Sequence, residues 1–310
     1  MKILVTGGAG FIASNLVDAY IADGHQVAVI DNLVSGKRAN LNPNADFYYM
    51  EIGDPRVEEI FRQFSPDIVN HHAAQIDVRK SVEDPVFDAQ TNILDSIFLL
   101  NYSQRYGVKK FIFSSTGGAL YGEPEYLPCD ETHPIKPLAA YGLSKYCFEN
   151  YLLLFNRLYN LPYVILRYAN VYGPRQDPHG EAGVVAIFTG KLLKGETPMI
   201  FGQGEQSRDF VFVEDICRAN RMAISAKENL IVNLGTGLEI SVNTLLQKIQ
   251  KIMGTDITPQ YLPERPGEVS RIYLDSSKAK KLLSWEPSFT MEEGLTKTVE
   301  YFKNPALAAK

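Results

Sequence analysis

The sequence predicts an α/β protein: a Rossmann-type, doubly wound parallel sheet with a smaller C-terminal α/β substrate domain. Three observations predict it. The first half alternates short β-branched runs with longer helical patterns. Its strands are continuous apolar runs (Ile3-Leu-Val, Val27-Ala-Val-Ile, Phe111-Ile-Phe), as expected where both faces are covered. A glycine-rich turn, Gly7 to Gly10, lies directly between the first strand and the first helix.

In chain order, strands are expected over residues 2–6, 26–30, 47–50, 67–70, 110–114 and 163–167. Helical patterns over 11–23, 56–64, 86–106 and 141–159 lie between them. Asp54-Pro55 supplies an N-cap followed by proline at the first helical position. After Tyr168 the texture changes: loops lengthen and gain Gly and Pro, helices shorten, and a strand-like run over 231–234 precedes Gly235-Thr-Gly237. The expected division is a dinucleotide-binding domain over 1–170, which also receives the segment around 210–237, and a substrate domain over 171–310. A ligand cleft is expected between them.

Composition narrows the function classes. With 45% hydrophobic and 22% charged residues, the 310-residue chain is that of an ordinary globular protein, with apolar material for a full core. A net charge of −5 speaks against a broad basic surface for nucleic acid. No apolar run is long enough for a membrane span, and a strand pattern begins at Lys2, where a signal peptide would lie. The three cysteines, Cys129, Cys147 and Cys217, have no CxxC or metal-ligand spacing. They fit reduced thiols in a cytoplasmic protein with no metal site. His25, His133 and His179 are expected as solvated loop residues.

The cofactor signal comes first. Gly8, Gly10 and Ala13 satisfy G-x-G-x-x-G/A between a strand and a helix. The glycines allow a tight turn and close approach of a pyrophosphate, which the helix N-terminus then faces. Asp31 ends the second strand about 20 residues later, where a carboxylate accepts from a ribose 2′-OH and repels a 2′-phosphate. That favours NAD over NADP.

The catalytic signal is Tyr141-Gly-Leu-Ser-Lys145. An i, i+4 spacing at a helix start puts both side chains on one face. An ammonium beside a phenol favours the phenolate, which turns tyrosine into a usable base. The strand ending Ser114-Ser-Thr-Gly-Gly118 brings hydroxyls to a C-terminal strand edge, where open α/β sheets bind ligands. Ser115 or Thr116 is the hydroxyl that meets the substrate oxygen.

These residues together resemble the extended short-chain dehydrogenase/reductase family, and within it the UDP-galactose 4-epimerase group. The resemblance runs through TGGAGFIA (6–13), DNLVSG (31–36), HHAAQ (71–75), SSTGGALYG (114–122), YGLSK (141–145), LRYANVYGPRQ (166–176), RDFVFVEDI (208–216), NLGTG (233–237), RPGE (265–268) and WEP (285–287). It implies C4 epimerisation of a UDP-sugar by a homodimer, with NAD staying bound. It places Gly7, Gly10, Phe11 and Ile12 under the pyrophosphate. Asp31, Asn32, Ser35 and Gly36 fall at the adenosine ribose, and Glu51 and Ile52 at the adenine. His72, Ala73, Ala74, Gln75, Asn92, Ser114 and Tyr168 line the nicotinamide half. Thr116, Tyr141 and Lys145 are the implied catalytic triad. Asn170, Val185, Phe201, Arg208, Arg265 and Glu268 are the implied nucleotide-sugar residues, and guanidinium geometry suits a diphosphate.

Departures from the family pattern are Ala13 for a third glycine, Glu51 for an aspartate, and the Gly-Gly-Ala after Thr116. A branched Ile272 stands at the implied sugar-pocket gate, which disfavours N-acetylated sugars. Dehydratases carry Asp-Glu after the triad hydroxyl, and uronic-acid decarboxylases a glutamate in that segment; Gly117 and Gly118 supply neither. A nucleotide-sugar reductase or a silent NAD-binding scaffold remain the alternatives. Apolar faces on the 86–106 helix (Ile93, Ile97, Leu100) and the 141–159 helix (Phe148, Leu152, Phe155, Tyr159) suggest pairing in a dimeric four-helix bundle.

Overall fold

The computed structural model describes residues 1–178, 183–264 and 269–304. The order begins β1 (Lys2–Thr6), α1 (Phe11–Ala22), β2 (Gln26–Asp31), β3 (Asp46–Tyr49), α2 (Val57–Phe64), β4 (Ile68–His71). There follow α3 (Val78–Glu83), α4 (Pro85–Ala89), α5 (Asp95–Arg105), β5 (Lys110–Thr116), α6 (Ala140–Tyr159) and β6 (Tyr163–Tyr168). The later part holds β7 (Asn170–Tyr172), α7 (Val184–Leu193), β8 (Met199–Phe201), β9 (Ser207–Arg208), β10 (Phe210–Phe212), α8 (Val213–Ile224) and β11 (Leu230–Leu234). It ends with β12 (Ile240–Ser241), α9 (Val242–Met253), β13 (Gln260–Leu262), β14 (Arg271–Ile272), α10 (Ser277–Leu283) and α11 (Met291–Lys303).

Among the described residues, seven parallel strands form one sheet in the order β11-β6-β5-β4-β1-β2-β3. The order reverses at β1 and β4, so the loops after these two strands part and open a crevice at the carboxyl edge. The seventh strand comes from the late part of the chain: Leu230 to Leu234 pair with Val164 to Tyr168. Burial explains the strand sequences, because Ile3, Leu4, Val5, Ala28, Val29 and Ile30 are all fully covered. Separate apolar clusters lie on the sheet's two faces: Val5, Val29 and Ile112 pack into one, Leu4, Ile30 and Phe113 into the other. The later segments add a three-stranded sheet around Ser207 and two-stranded pairs at Tyr261 and Val211.

Several boundaries differ from the sequence reading for local reasons. The helix after Asp54-Pro55 starts at Val57; the Asp54 carboxylate accepts from Arg56 N at 2.9 Å, so the proline lies in the turn before the helix. The expected helix over 86–106 is three pieces: α4, a π-turn over Gln90–Leu94, and α5. An unforeseen α3 precedes them, capped by Asp77, whose carboxylate accepts from Lys80 N at 2.9 Å. His133 is 3% exposed and not solvated: its Nε2 accepts from Glu125 N, and its ring packs on Tyr121 and Tyr126. Among the described residues no helix is long and apolar enough to cross a membrane.

Candidate active site

Thr6 ends β1 and organises the first wall of the crevice. Its hydroxyl accepts from His72 N (3.2 Å) and Ala73 N (3.1 Å), so its own proton goes to His71 Nδ1 at 2.7 Å. His71 Nε2 must then carry the neutral ring's one proton and donate to Ser96 Oγ at 3.0 Å. Fully buried among Phe111, Phe113 and Phe148, His71 is held well below its usual range by burial and then by Lys145. It is a structural histidine that fixes the 72–75 loop.

Gly7 has φ 70°, and a side chain there would meet Ala73 N at 2.8 Å. Only glycine lets the turn fold this tightly against the neighbouring loop. Among the described residues no side chain caps the N-terminus of α1, whose first residues are Phe11 and Ile12. An uncapped helix start beside a glycine turn is a cradle for an anion, so these residues fit a dinucleotide pyrophosphate. Asp31 is 7% exposed; its carboxylate accepts from Ala9 N (2.9 Å) and Leu33 N (2.7 Å). It therefore pins the glycine loop as well as offering lone pairs to a ribose. Gly36 packs against it, where a methyl would lie 2.7 Å from Asp31 Oδ1. Asn32 is half-buried and accepts from Val34 N, Ser35 and Glu51 are exposed, and Ile52 is buried.

The nicotinamide-side residues converge at the ends of β4 and β6. His72 Nε2 lies 3.2 Å from Tyr168 Oη, which also accepts from Asn220 Nδ2 at 2.8 Å. Burial and then Lys145 push His72 down to about 3, and its Nδ1 is a buried nitrogen with no partner among the described residues. A buried nitrogen without a protein partner is a group that a ligand can satisfy. Ala73 and Ala74 are half-buried. Asn92 sits on the π-turn, where it clamps Gln75: Gln75 N donates to Oδ1 (2.9 Å) and Nδ2 donates to Gln75 O (3.0 Å). The extra residue per turn is what rotates Asn92 inward, and π-turns often mark functional positions.

Tyr141 and Lys145 lie on the first turns of α6. Lys145 Nζ donates to Ser114 O at 3.0 Å and stands 5.9 Å from the Tyr141 ring centre. Burial pushes Lys145 down to about 8, against the charges of Asp88 and Glu149, which raise it. Burial, with Asp88 adding to it, pushes Tyr141 up to about 12. Lys145 at this distance thus leaves the phenol a poor base, and further positive charge is needed to bring it into a working range. The β5 pleat separates the two candidate hydroxyls. Ser115 is 3% exposed and donates to Glu149 Oε1 at 2.5 Å, away from the crevice. Thr116 shares the crevice face with Ser114, and its Oγ1 accepts from Ala119 N at 3.1 Å, which leaves its proton for a ligand.

Of the nucleotide-sugar candidates, Asn170 begins β7 beside this strand end: a methyl on Gly118 would lie 3.1 Å from its Oδ1. Phe201 ends β8 and Arg208 ends β9; both are half-buried, and Arg208 Nη1 donates to Ser207 O at 2.8 Å. Val185 is 1% exposed and packs into the core of α7. Ile272 is 2% exposed and pairs with Arg208 in the short sheet. Arg265, Glu268 and His179 lie outside the described residues.

Buried charges at Arg167, Glu149 and Asp88 escaped the sequence reading. Arg167 donates to both Glu149 oxygens (3.0 and 2.6 Å) and to Tyr121 Oη (3.1 Å). This ion pair holds the Ser115 hydroxyl and so sets the rotation of the strand that carries Thr116. A lone arginine in the apolar run Tyr163 to Tyr168 was its signal. Asp88, fully buried on α4, accepts from Ser144 Oγ at 2.6 Å. Its signal was the i, i+4 spacing to Asn92 on one helical face.

The family model described as NAD dependent epimerase/dehydratase family matches residues 3–235. A crystal structure of UDP-glucose 4-epimerase from Thermotoga maritima with UDP-glucose is 53% identical, superposes with a TM-score of 0.97, and covers 99% of this chain and 100% of its own. UDP-glucose 4-epimerase of Thermus thermophilus in complex with NAD is 43% identical with a TM-score of 0.93, over 98% of this chain and 99% of that one. A UDP-glucose 4-epimerase of Mycolicibacterium smegmatis is 43% identical over 310 residues, 98% of this chain and 99% of its own.

Proposed function

The chain belongs to the NAD dependent epimerase/dehydratase family, and from that premise we propose that it interconverts UDP-galactose and UDP-glucose by epimerisation at C4. The observation that carries this reading is Lys145 Nζ bonded to Ser114 O, on the strand that ends at Thr116, and 5.9 Å from the Tyr141 ring centre, in a chain 43–53% identical along nearly its whole length to UDP-glucose 4-epimerases.

Gly7, Gly10, Phe11 and Ile12 would hold the NAD pyrophosphate, Asp31 the ribose, and His72, Gln75, Asn92 and Tyr168 the nicotinamide half. NAD bound there would supply a reversible hydride acceptor for the sugar carbon and a ring charge that, with Lys145, would lower the Tyr141 phenol. Tyr141 removes the proton from the sugar 4-oxygen and later returns it. Thr116 donates a hydrogen bond to the same oxygen. Lys145 stays fixed by Ser114 O and supports the phenolate electrostatically. The sugar ring turns over as a 4-ketone between the two transfers, which inverts C4. Asn170, Phe201 and Arg208, with Arg265 and Glu268, would hold the UDP group. The sheet-forming part, 1–170 with 210–237, serves the cofactor, and 171–310 serves the nucleotide sugar.

A homodimer through a four-helix bundle accounts for the exposed apolar residues Val86, Leu94 and Phe98 and, on α6, Leu154 and Leu158. Of the faces named from the sequence, Leu100, Phe148, Leu152 and Phe155 are in the core, Ile93 and Ile97 are half-buried, and Tyr159 is exposed. A monomer in sedimentation at micromolar concentration rules the dimer out. Three unpaired cysteines fit a reducing, cytoplasmic setting.

The test is incubation of purified protein with UDP-galactose, without added NAD, followed by NMR of the sugar. UDP-glucose should form, and Tyr141→Phe should slow its formation by about a thousandfold. No conversion, with NAD supplied as well, overturns the reading.

A further inference from the structure

Asp88 lies where three segments of the site cross. It is fully buried on α4. Its Oδ1 accepts from Gln75 Nε2 (3.1 Å) and Asn92 Nδ2 (2.9 Å), and its Oδ2 from Ser144 Oγ (2.6 Å). Gln75 belongs to the loop after β4, Asn92 to the π-turn, and Ser144 lies on α6 between Tyr141 and Lys145. All three donors are neutral. A carboxylate removed from water is costly to bury, and neutral donors alone offset little of that cost. The neighbouring cation is Lys145, itself 4% exposed, one residue along the helix from Ser144.

Resting on the epimerase reading above, we propose that Asp88 is a positioning residue for the reaction: its carboxylate ties the start of α6, and with it Tyr141 and Lys145, to the loop of residues 72–75. Lys145 is faced by Asp88 from α4, Glu149 from its own helix, the neutral His71 and His72 from the end of β4, Tyr141, and the Ser114 carbonyl from β5. Burial drives the ammonium toward deprotonation, and Asp88 is the larger of the two charges that resist it. The same charge pushes the Tyr141 phenol up, so the lysine's titration reads the proposal more directly than rate alone.

A purely structural carboxylate would be well replaced by asparagine. The Asp88→Asn amide oxygen can accept from Gln75 and Asn92, and its nitrogen can donate to Ser144 Oγ. The tether then keeps its three bonds with the Ser144 bond reversed, and the charge and the Ser144 acceptor are lost. The experiment compares the parent, Asp88→Asn and Ser144→Ala. It measures kcat and KM on UDP-galactose from about pH 6 to 9, and the ¹⁵N titration of Lys145 Nζ, assigned with Lys145→Met. Asp88→Asn should titrate Lys145 lower by about half a pH unit or more. Its kcat should fall about tenfold at unchanged KM. Ser144→Ala keeps the charge and loses the tether; kcat should fall while the lysine titrates where it does in the parent. A lysine titration unmoved by Asp88→Asn overturns the proposal, as does a kcat within about twofold of the parent. Should Asp88→Asn fail to fold, an unchanged kcat in Ser144→Ala refutes the tether. A parent without epimerase activity refutes the functional reading instead, and the lysine titration still decides the role of the charge.

Discussion

Gly142 follows Tyr141 directly in the first turn of α6, and its α-carbon faces the loop that leaves β5. A methyl group there would sit 2.3 Å from the Ala119 carbonyl oxygen and 2.9 Å from Pro137 Cβ. Carbon and carbonyl oxygen rest in contact at about 3.3 Å or more, so Gly142→Ala must part the loop and the helix by about 1 Å. The loop cannot yield without taking Thr116 with it, because Ala119 N is bonded to Thr116 Oγ1 at 3.1 Å. A misplacement of about 1 Å between reacting groups costs on the order of a hundredfold in rate. Alanine gains about 1 kcal/mol over glycine in a helix, and overpacking costs about 1–3 kcal/mol, so the variant should be destabilised by at most about 2 kcal/mol and stay folded. The assay is steady-state epimerisation of UDP-galactose beside urea unfolding of the same preparation. The expected result is a kcat lowered some thirty- to a hundredfold, about in proportion to the displacement, in a folded protein. A folded variant with kcat within about threefold of the parent would show that α6 does not set the position of Thr116.

Tyr141→Phe should lower kcat by about a thousandfold, within the range of a lost general base, and calorimetry should find UDP-sugar affinity preserved. Asp31→Ala removes a ribose acceptor and the two bonds that pin Ala9 and Leu33; nucleotide released on denaturing the purified protein should fall well below one per chain. Glu149→Gln leaves Arg167 buried without its counter-charge and should destabilise by about 3–5 kcal/mol, of which Arg167→Met in the same chain should restore a large part. Folded His71 and His72 have depressed pKa values, so below about pH 6.5 the unfolded chain binds protons that the folded one does not. The melting temperature should therefore fall steadily from pH 6.5 to 5, with a smaller share from His25. A flat melting temperature across that window counts against both histidines being neutral in the fold.

The sequence by itself determined what depends on local backbone geometry. Strand pattern, glycine turn and acidic strand end are read along a single stretch, and the two periods, 2.0 and 3.6, place Tyr141 and Lys145 together without knowledge of the fold. Partners from distant segments were invisible to it. The choice of Thr116 over Ser115 turns on Glu149, and that residue is fixed in turn by Arg167 on another strand. Asp88, the neutral tautomer of His71 and the buried His133 have the same character. The π-turn that breaks the expected long helix carries Asn92, whose partner Gln75 lies on a distant loop. A polar atom's energy in the interior is set by the donors and acceptors around it and by its removal from water. Both are properties of the packed molecule, so only the tertiary structure decided which buried charges answer one another and which hydroxyl faces the crevice.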